Sequence, residues 1–133
     1  MNKLLLLFIF LANILVLNAQ DKGHATYYGK RLDNKKTASG AIYRKDSLVC
    51  AHRTHPFGTL LKVRNLKNDK EVIVKVIDRG PFKKKRIIDL SYAAAKELEM
   101  TQHGVVPVEI SVYQNILDTT NTVIDSLLNK RSD

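Results

Sequence analysis

Two short stretches of this chain carry side chains that can exchange protons and hydrogen-bond sugar hydroxyls. Asp78 lies in Val76-Ile77-Asp78-Arg79-Gly80-Pro81-Phe82, where an alternating apolar run gives way to a turn. His52 lies in Ala51-His52-Arg53-Thr54, just before a second turn, Pro56-Phe57-Gly58-Thr59. The cationic run Lys83-Lys84-Lys85-Arg86 follows Asp78 closely and is suited to gathering an anionic polymer. Tyr27 and Tyr28 add ring faces that can pack on the C–H face of a pyranose. Together these residues suggest a carbohydrate site. Each also has a plainer reading: Asp78 as a turn acceptor, Arg79 facing water, the lysines as solvated surface, the tyrosines as core.

Such residues need elements to hold them. Thr59 to Leu66 alternates, with Leu61 and Val63 on one face; Lys67-Asn68-Asp69-Lys70 is turn chemistry; Glu71 to Ile77 returns as a strand with Val72, Val74 and Val76 on one face. This hairpin delivers Asp78 to its rim. Gly23 to Gly29 reads as an early strand that sends Tyr27 and Tyr28 to opposite sides, so that only one need enter the core. Ile87 to Leu90 reads as a short strand, and the less regular apolar stretch from Ile42-Tyr43 through Leu48 to Ala51 as short strands or close-packed crossovers. Ser91 can cap a short helix over most of Tyr92 to Met100, with that element closed near Gly104. A final strand follows, with Val108, Ile110 and Val112 on one face. Residues 114–133 form a C-terminal tail, either a narrow amphipathic helix or disordered.

Met1-Asn2-Lys3, an apolar run to Leu17 and a small residue at Ala19 match a secretory signal over residues 1–19. The run is short for a membrane span, and no cysteine marks a lipidation site. A stable transmembrane anchor is therefore not expected, and the location is periplasmic or envelope-associated. Residues 20–113 suffice for one core. Cys50 is unpaired for lack of another cysteine and reads as a small buried strand residue, with a reactive thiol as the alternative. With 22 basic and 13 acidic side chains the chain carries +9. Export argues against nucleic acid as the partner of that charge, as does the lack of a basic-aromatic repeat. His24, His52, His55 and His103 do not make a compact zinc motif, and no glycine-rich phosphate fingerprint is present, so neither metal nor cofactor is expected.

The ordered blocks Ala25-Thr26-Tyr27-Tyr28-Gly29, Thr37-Ala38-Ser39-Gly40, Ala51 to Thr59, Asp78 to Phe82 and Arg86 to Ser91 resemble the RlpA-like (rare lipoprotein A) septal-ring lytic transglycosylase family, from about Gly23 to Val112. The resemblance implies a mainly β fold, a six-stranded double-psi β-barrel with a short helix. It also implies a groove for peptidoglycan glycan strands and cleavage between N-acetylmuramic acid and N-acetylglucosamine to leave 1,6-anhydromuramic ends. By the same resemblance Asp78 and His52 are the catalytic pair, with His52 hydrogen-bonding Asp78 or the sugar. Tyr27, Tyr28, Arg79 and Lys83 are the expected substrate-binding residues, and Asp89 is assigned to capping or a turn. An envelope or division protein is a second candidate partner.

One departure bears on activity. Many family members have glutamate after the glycine that corresponds to Gly40, where this chain has Ala41, and an acid three positions later is replaced by Arg44. Alanine cannot carry a catalytic proton. The alternative to an enzyme is a noncatalytic peptidoglycan-binding or expansin-like wall-loosening protein.

Overall fold

The computed structural model describes residues 2–6 and 20–130. Most of the expected signal segment, residues 1 and 7–19, lies outside the described residues. Among the described residues no helix is long and apolar enough to cross a membrane.

Alternating sequences build six strands: β1 (Asp21–Tyr27), β2 (Val49–Ala51), β3 (Leu60–Asn65), β4 (Glu71–Asp78), β5 (Arg86–Leu90) and β6 (Val106–Val112). They close into a barrel in the order β1-β5-β2-β4-β3-β6. The β1/β5 and β2/β4 pairs are parallel and the remaining pairs antiparallel. Inward positions meet in one core that includes Leu61, Val63, Val74, Val76, Ile88, Leu90, Val108 and Ile110, all within 1% of complete burial. Each such aliphatic side chain contributes about 1.5–3 kcal/mol when withdrawn from water. Cys50 lies in the same core, where burial first and the charge of Asp89 second push its thiol up to about 12. Of the two readings of Cys50, this environment fits an inert packing residue.

The hairpin forms as its pattern requires. Its turn places Asp69 at a φ of +61°, which a short polar residue tolerates, and Arg64 donates to Asp69 across it at 2.8 Å. At the base of the turn the buried Asn65 donates to the carbonyl of Leu98 at 2.9 Å and accepts from the amide of Lys67 at 3.0 Å. Asn65 thereby ties the hairpin to the segment after the short helix.

That helix, α1 (Tyr92–Glu97), begins where Ser91 accepts from the amide of Ala94. It covers most of the expected segment and stops where Glu99 turns left-handed, with φ +52°, so that both Leu98 and Met100 enter the core. Continuing the helix to Met100 would forfeit that burial. Val112 likewise departs from the expected apolar face, being 44% exposed where β6 leaves the barrel. The tail takes the helical form, α2 (Ile116–Asn129), capped by Asn115 and with no buried residue.

Candidate active site

Closing the barrel aligns residues that are far apart in sequence. Thr26 of β1 is registered with Asp89 of β5, Asp89 with Ala51 of β2, and Ala51 with Asp78 of β4. Side-by-side residues on neighbouring strands face the same way, so this row sets two carboxylates on either side of a methyl group. The two aspartates are two strands apart, ~10 Å between Cα atoms at the usual strand spacing. A cleft of about 700 Å³ lies over this row. It is lined by Asp78 and Asp89, by Tyr27, Tyr28, Arg79 and Lys83, and by Thr26, Phe82 and Arg86. Five of the six residues expected at the site thus share one cleft; His52 is not among the lining residues.

Asp78 is oriented from two directions. The Tyr28 hydroxyl donates to its Oδ2 at 2.5 Å, and the amide of Ala38 donates to its Oδ1 at 2.9 Å. Burial pushes the Tyr28 phenol far above its usual range, helped by the hydrogen bond to Asp78 and then by the charges of Asp78 and Asp89. Tyr28 therefore remains a donor at every ordinary pH. Its ring packs against Tyr43 with centroids 4.7 Å apart, in a small outer cluster with Val49 and Ile77. Tyr27 packs against the main core, tilts toward Tyr92 and donates to the carbonyl of Thr101 at 2.7 Å. The tyrosines do diverge, each packing on one side while both remain partly exposed and line the cleft.

Of the two partners expected for His52, Asp78 or the sugar, the structure does not form the side-chain bond to Asp78. His52 is 8% exposed, and its Nδ1 accepts from the amides of Thr54 at 3.2 Å and His55 at 3.1 Å. Only its main-chain amide reaches Asp78, donating to the backbone carbonyl at 3.1 Å. The hydroxyl of Tyr28 occupies the place at the carboxylate that the imidazole was expected to take. Burial first and the neighbouring His55 second lower the imidazole to about 4, so near neutral pH the ring carries its proton on Nε2. The turn held by His52 in turn holds Arg79, whose guanidinium donates to the carbonyls of His52 and His55 at 3.2 and 2.9 Å and stacks 3.9 Å above Phe57.

Asp89 is the residue that pattern reading missed. Helix capping falls to Ser91, while the carboxylate of Asp89 accepts from the Thr26 hydroxyl in the cleft. The signal was present as an acid at an outward position between the core residues Ile88 and Leu90, yet nothing local showed what lay opposite it. The loop that carries Ala41 is also adjacent to the site, because Ala38 donates to Asp78 and Ser39 donates to the carbonyl of Ile77. Arg44 donates to Asn34 and so serves its own loop.

A closed barrel of six strands with this mixture of parallel and antiparallel pairs, flanked by an acid-lined cleft, is of the double-psi class. The family model described as lytic transglycolase matches residues 20–110, and the chain belongs to the RlpA-like lytic transglycosylase family. The probable endolytic peptidoglycan transglycosylase RlpA of Aquifex aeolicus is 53% identical over 91 residues, covering 68% of this chain and 40% of that protein. The endolytic peptidoglycan transglycosylase RlpA of Campylobacter jejuni is 47% identical over 90 residues, 68% of this chain and 33% of its own length. The chain therefore spans two fifths or less of these relatives. Among solved structures, a Streptomyces papain inhibitor superposes with a TM-score of 0.59 at 25% identity, covering 72% of this chain and 96% of that one. An expansin from Clavibacter michiganensis superposes with 0.58 at 21% identity, covering 73% and 52%, a likeness of fold.

Proposed function

We propose that this protein is an endolytic peptidoglycan transglycosylase that cleaves the bond from N-acetylmuramic acid to N-acetylglucosamine and leaves a 1,6-anhydromuramic end. The observation that carries the reading is Asp78, held by Tyr28 and Ala38 in a cleft that also contains Asp89, Arg79 and Lys83. Each carboxyl oxygen retains a second lone-pair position for a proton beyond the bond it already accepts. Asp78 passes its proton to the glycosidic oxygen as the C1–O bond breaks. Positive character then develops on the muramic sugar, and the carboxylate of Asp89, oriented by Thr26, stabilises it electrostatically. The sugar's C6 hydroxyl attacks C1 and its proton goes to Asp78, which restores the starting state. Intramolecular attack removes the need for an activated water, the task given to a second carboxylate in inverting glycosidases.

In this scheme His52 is a positioning residue that acts through its turn and Arg79. Arg79 and Lys83 attract the acidic groups of the wall polymer. The segment 1–19 directs export, which brings the domain 20–113 to the periplasm or envelope, where glycan strands and an envelope or division protein are its partners.

The test incubates the protein with purified peptidoglycan, intact or stripped of stem peptides, and identifies the products by mass spectrometry. Anhydromuramic ends that disappear in a folded Asp78→Asn variant are the expected result. Binding without product from either substrate would overturn catalysis and favour a peptidoglycan-binding or wall-loosening barrel. One observation supports that second reading: the loop adjoining Asp78 presents Ala41 and carries no acid there. Activity gained in Ala41→Glu would assign the difference to that position.

A further inference from the structure

Phe82 is the one large apolar side chain of the barrel that the fold leaves almost wholly in water. It is 81% exposed, whereas the next such residue between positions 21 and 112, Val112, is 44% exposed. Its backbone is by contrast firmly held. The guanidinium of Arg53 donates to the carbonyl of Pro81 on one side, and to those of Lys83 at 2.8 Å and Arg86 at 2.6 Å on the other. Gly80 and Pro81 are buried. At Gly80, where φ is +123°, an added Cβ would lie 3.6 Å from the ring edge of Phe82, so glycine keeps that side of the ring clear.

The ring stands in the same cleft as Asp78. Of the other aromatic rings there, Tyr27 is packed on the core and Tyr28 on Tyr43. A rigidly mounted, uncovered phenyl group beside acids and hydroxyls has the two properties that saccharide recognition uses, an apolar face for C–H groups and polar partners for the ring's edge. Because the mount is already ordered, little conformational entropy is lost when a ligand covers it.

We propose that Phe82 is the aromatic platform on which a pyranose ring of the glycan stacks next to Asp78; the proposal rests on the glycan-cleaving function given above. The platform contributes equally before and during bond cleavage, so its loss raises KM and leaves kcat close to that of the wild type.

The chain contains no tryptophan, so Phe82→Trp installs a single fluorescent reporter at the platform. Titration with peptidoglycan glycan strands stripped of stem peptides is expected to change its emission saturably. Phe82→Ala is expected to weaken binding of the same strands about tenfold, equivalent to ~1.4 kcal/mol, while Phe82→Tyr retains affinity. Thermal unfolding checks that each variant is folded, and Phe82→Leu supplies a second non-aromatic variant. If Phe82→Ala or Phe82→Leu binds as tightly as a wild type that binds, the platform is refuted and the transglycosylase reading stands. If the wild type binds no glycan, both fall.

Discussion

Acidification should unlock the turn at His52, whose neutral imidazole accepts from two amides. In the folded chain burial holds the imidazole near 4, against an ordinary value of 6.5. The unfolded chain therefore binds more protons between these two values, and stability must fall as pH drops through that window. Above pH 6.5 the ring is neutral in both states and the contribution is complete; below about 4 both states are protonated and no further loss comes from this group. Protonation also places an N–H where Nδ1 accepts from the amides of Thr54 and His55. At about 1.36 kcal/mol per pH unit the full effect approaches ~3 kcal/mol, most of which is lost on going from pH 7 to pH 4.5. For a barrel of this size that corresponds to about 2 M in a urea midpoint.

The assay is urea unfolding of the wild type and of His52→Asn at both pH values. Asparagine keeps an oxygen acceptor for the two amides but does not titrate, and the carboxylates shared by the two proteins cancel in the comparison. The wild type should lose about 2 kcal/mol more than the variant. Equal losses in the two proteins would refute both the assigned burial effect and the neutral state of His52. Since the same turn holds Arg79 through the carbonyls of His52 and His55, substrate affinity should decline over the same window.

Two further outcomes follow from individual hydrogen bonds. Tyr28→Phe removes the hydroxyl from Asp78 while leaving the ring on Tyr43; kcat should fall on the order of tenfold or more with little change in KM, measured on anhydromuramic product release. Asn65→Ala removes both the donor to Leu98 and the acceptor for Lys67 at a buried site, and should lower stability by ~2–3 kcal/mol in a denaturant series without altering glycan binding.

Much of the frame could be read along the chain. The β3/β4 hairpin, the arrival of Asp78 at its rim and the capping role of Ser91 follow from period-two alternation, turn residues and a hydroxyl before a helix, all of which act over a few residues. The helix α1 was legible over most of its segment, while its end point was not, because local propensity continues to Met100 whereas the core draws Leu98 and Met100 inward. The Asp89 carboxylate reads locally as a cap or turn acceptor because a strand-to-helix transition follows it, whereas its partner, Thr26, lies 63 residues earlier.

By itself the sequence determined which segments alternate, where they turn, and that one acid ends the central strand. Only the tertiary structure decided what that acid meets. Tyr28 reaches Asp78 from 50 residues away, and Ala51 separates Asp78 from Asp89 because β2 lies between β4 and β5. Arg53 fastens the mount of Phe82 from a separate loop. These neighbours depend on the parallel pairings β1/β5 and β2/β4, which join strands that are not consecutive in the chain. Their register is set by burying every inward face at once as the barrel closes, a condition on the whole chain that no local pattern expresses.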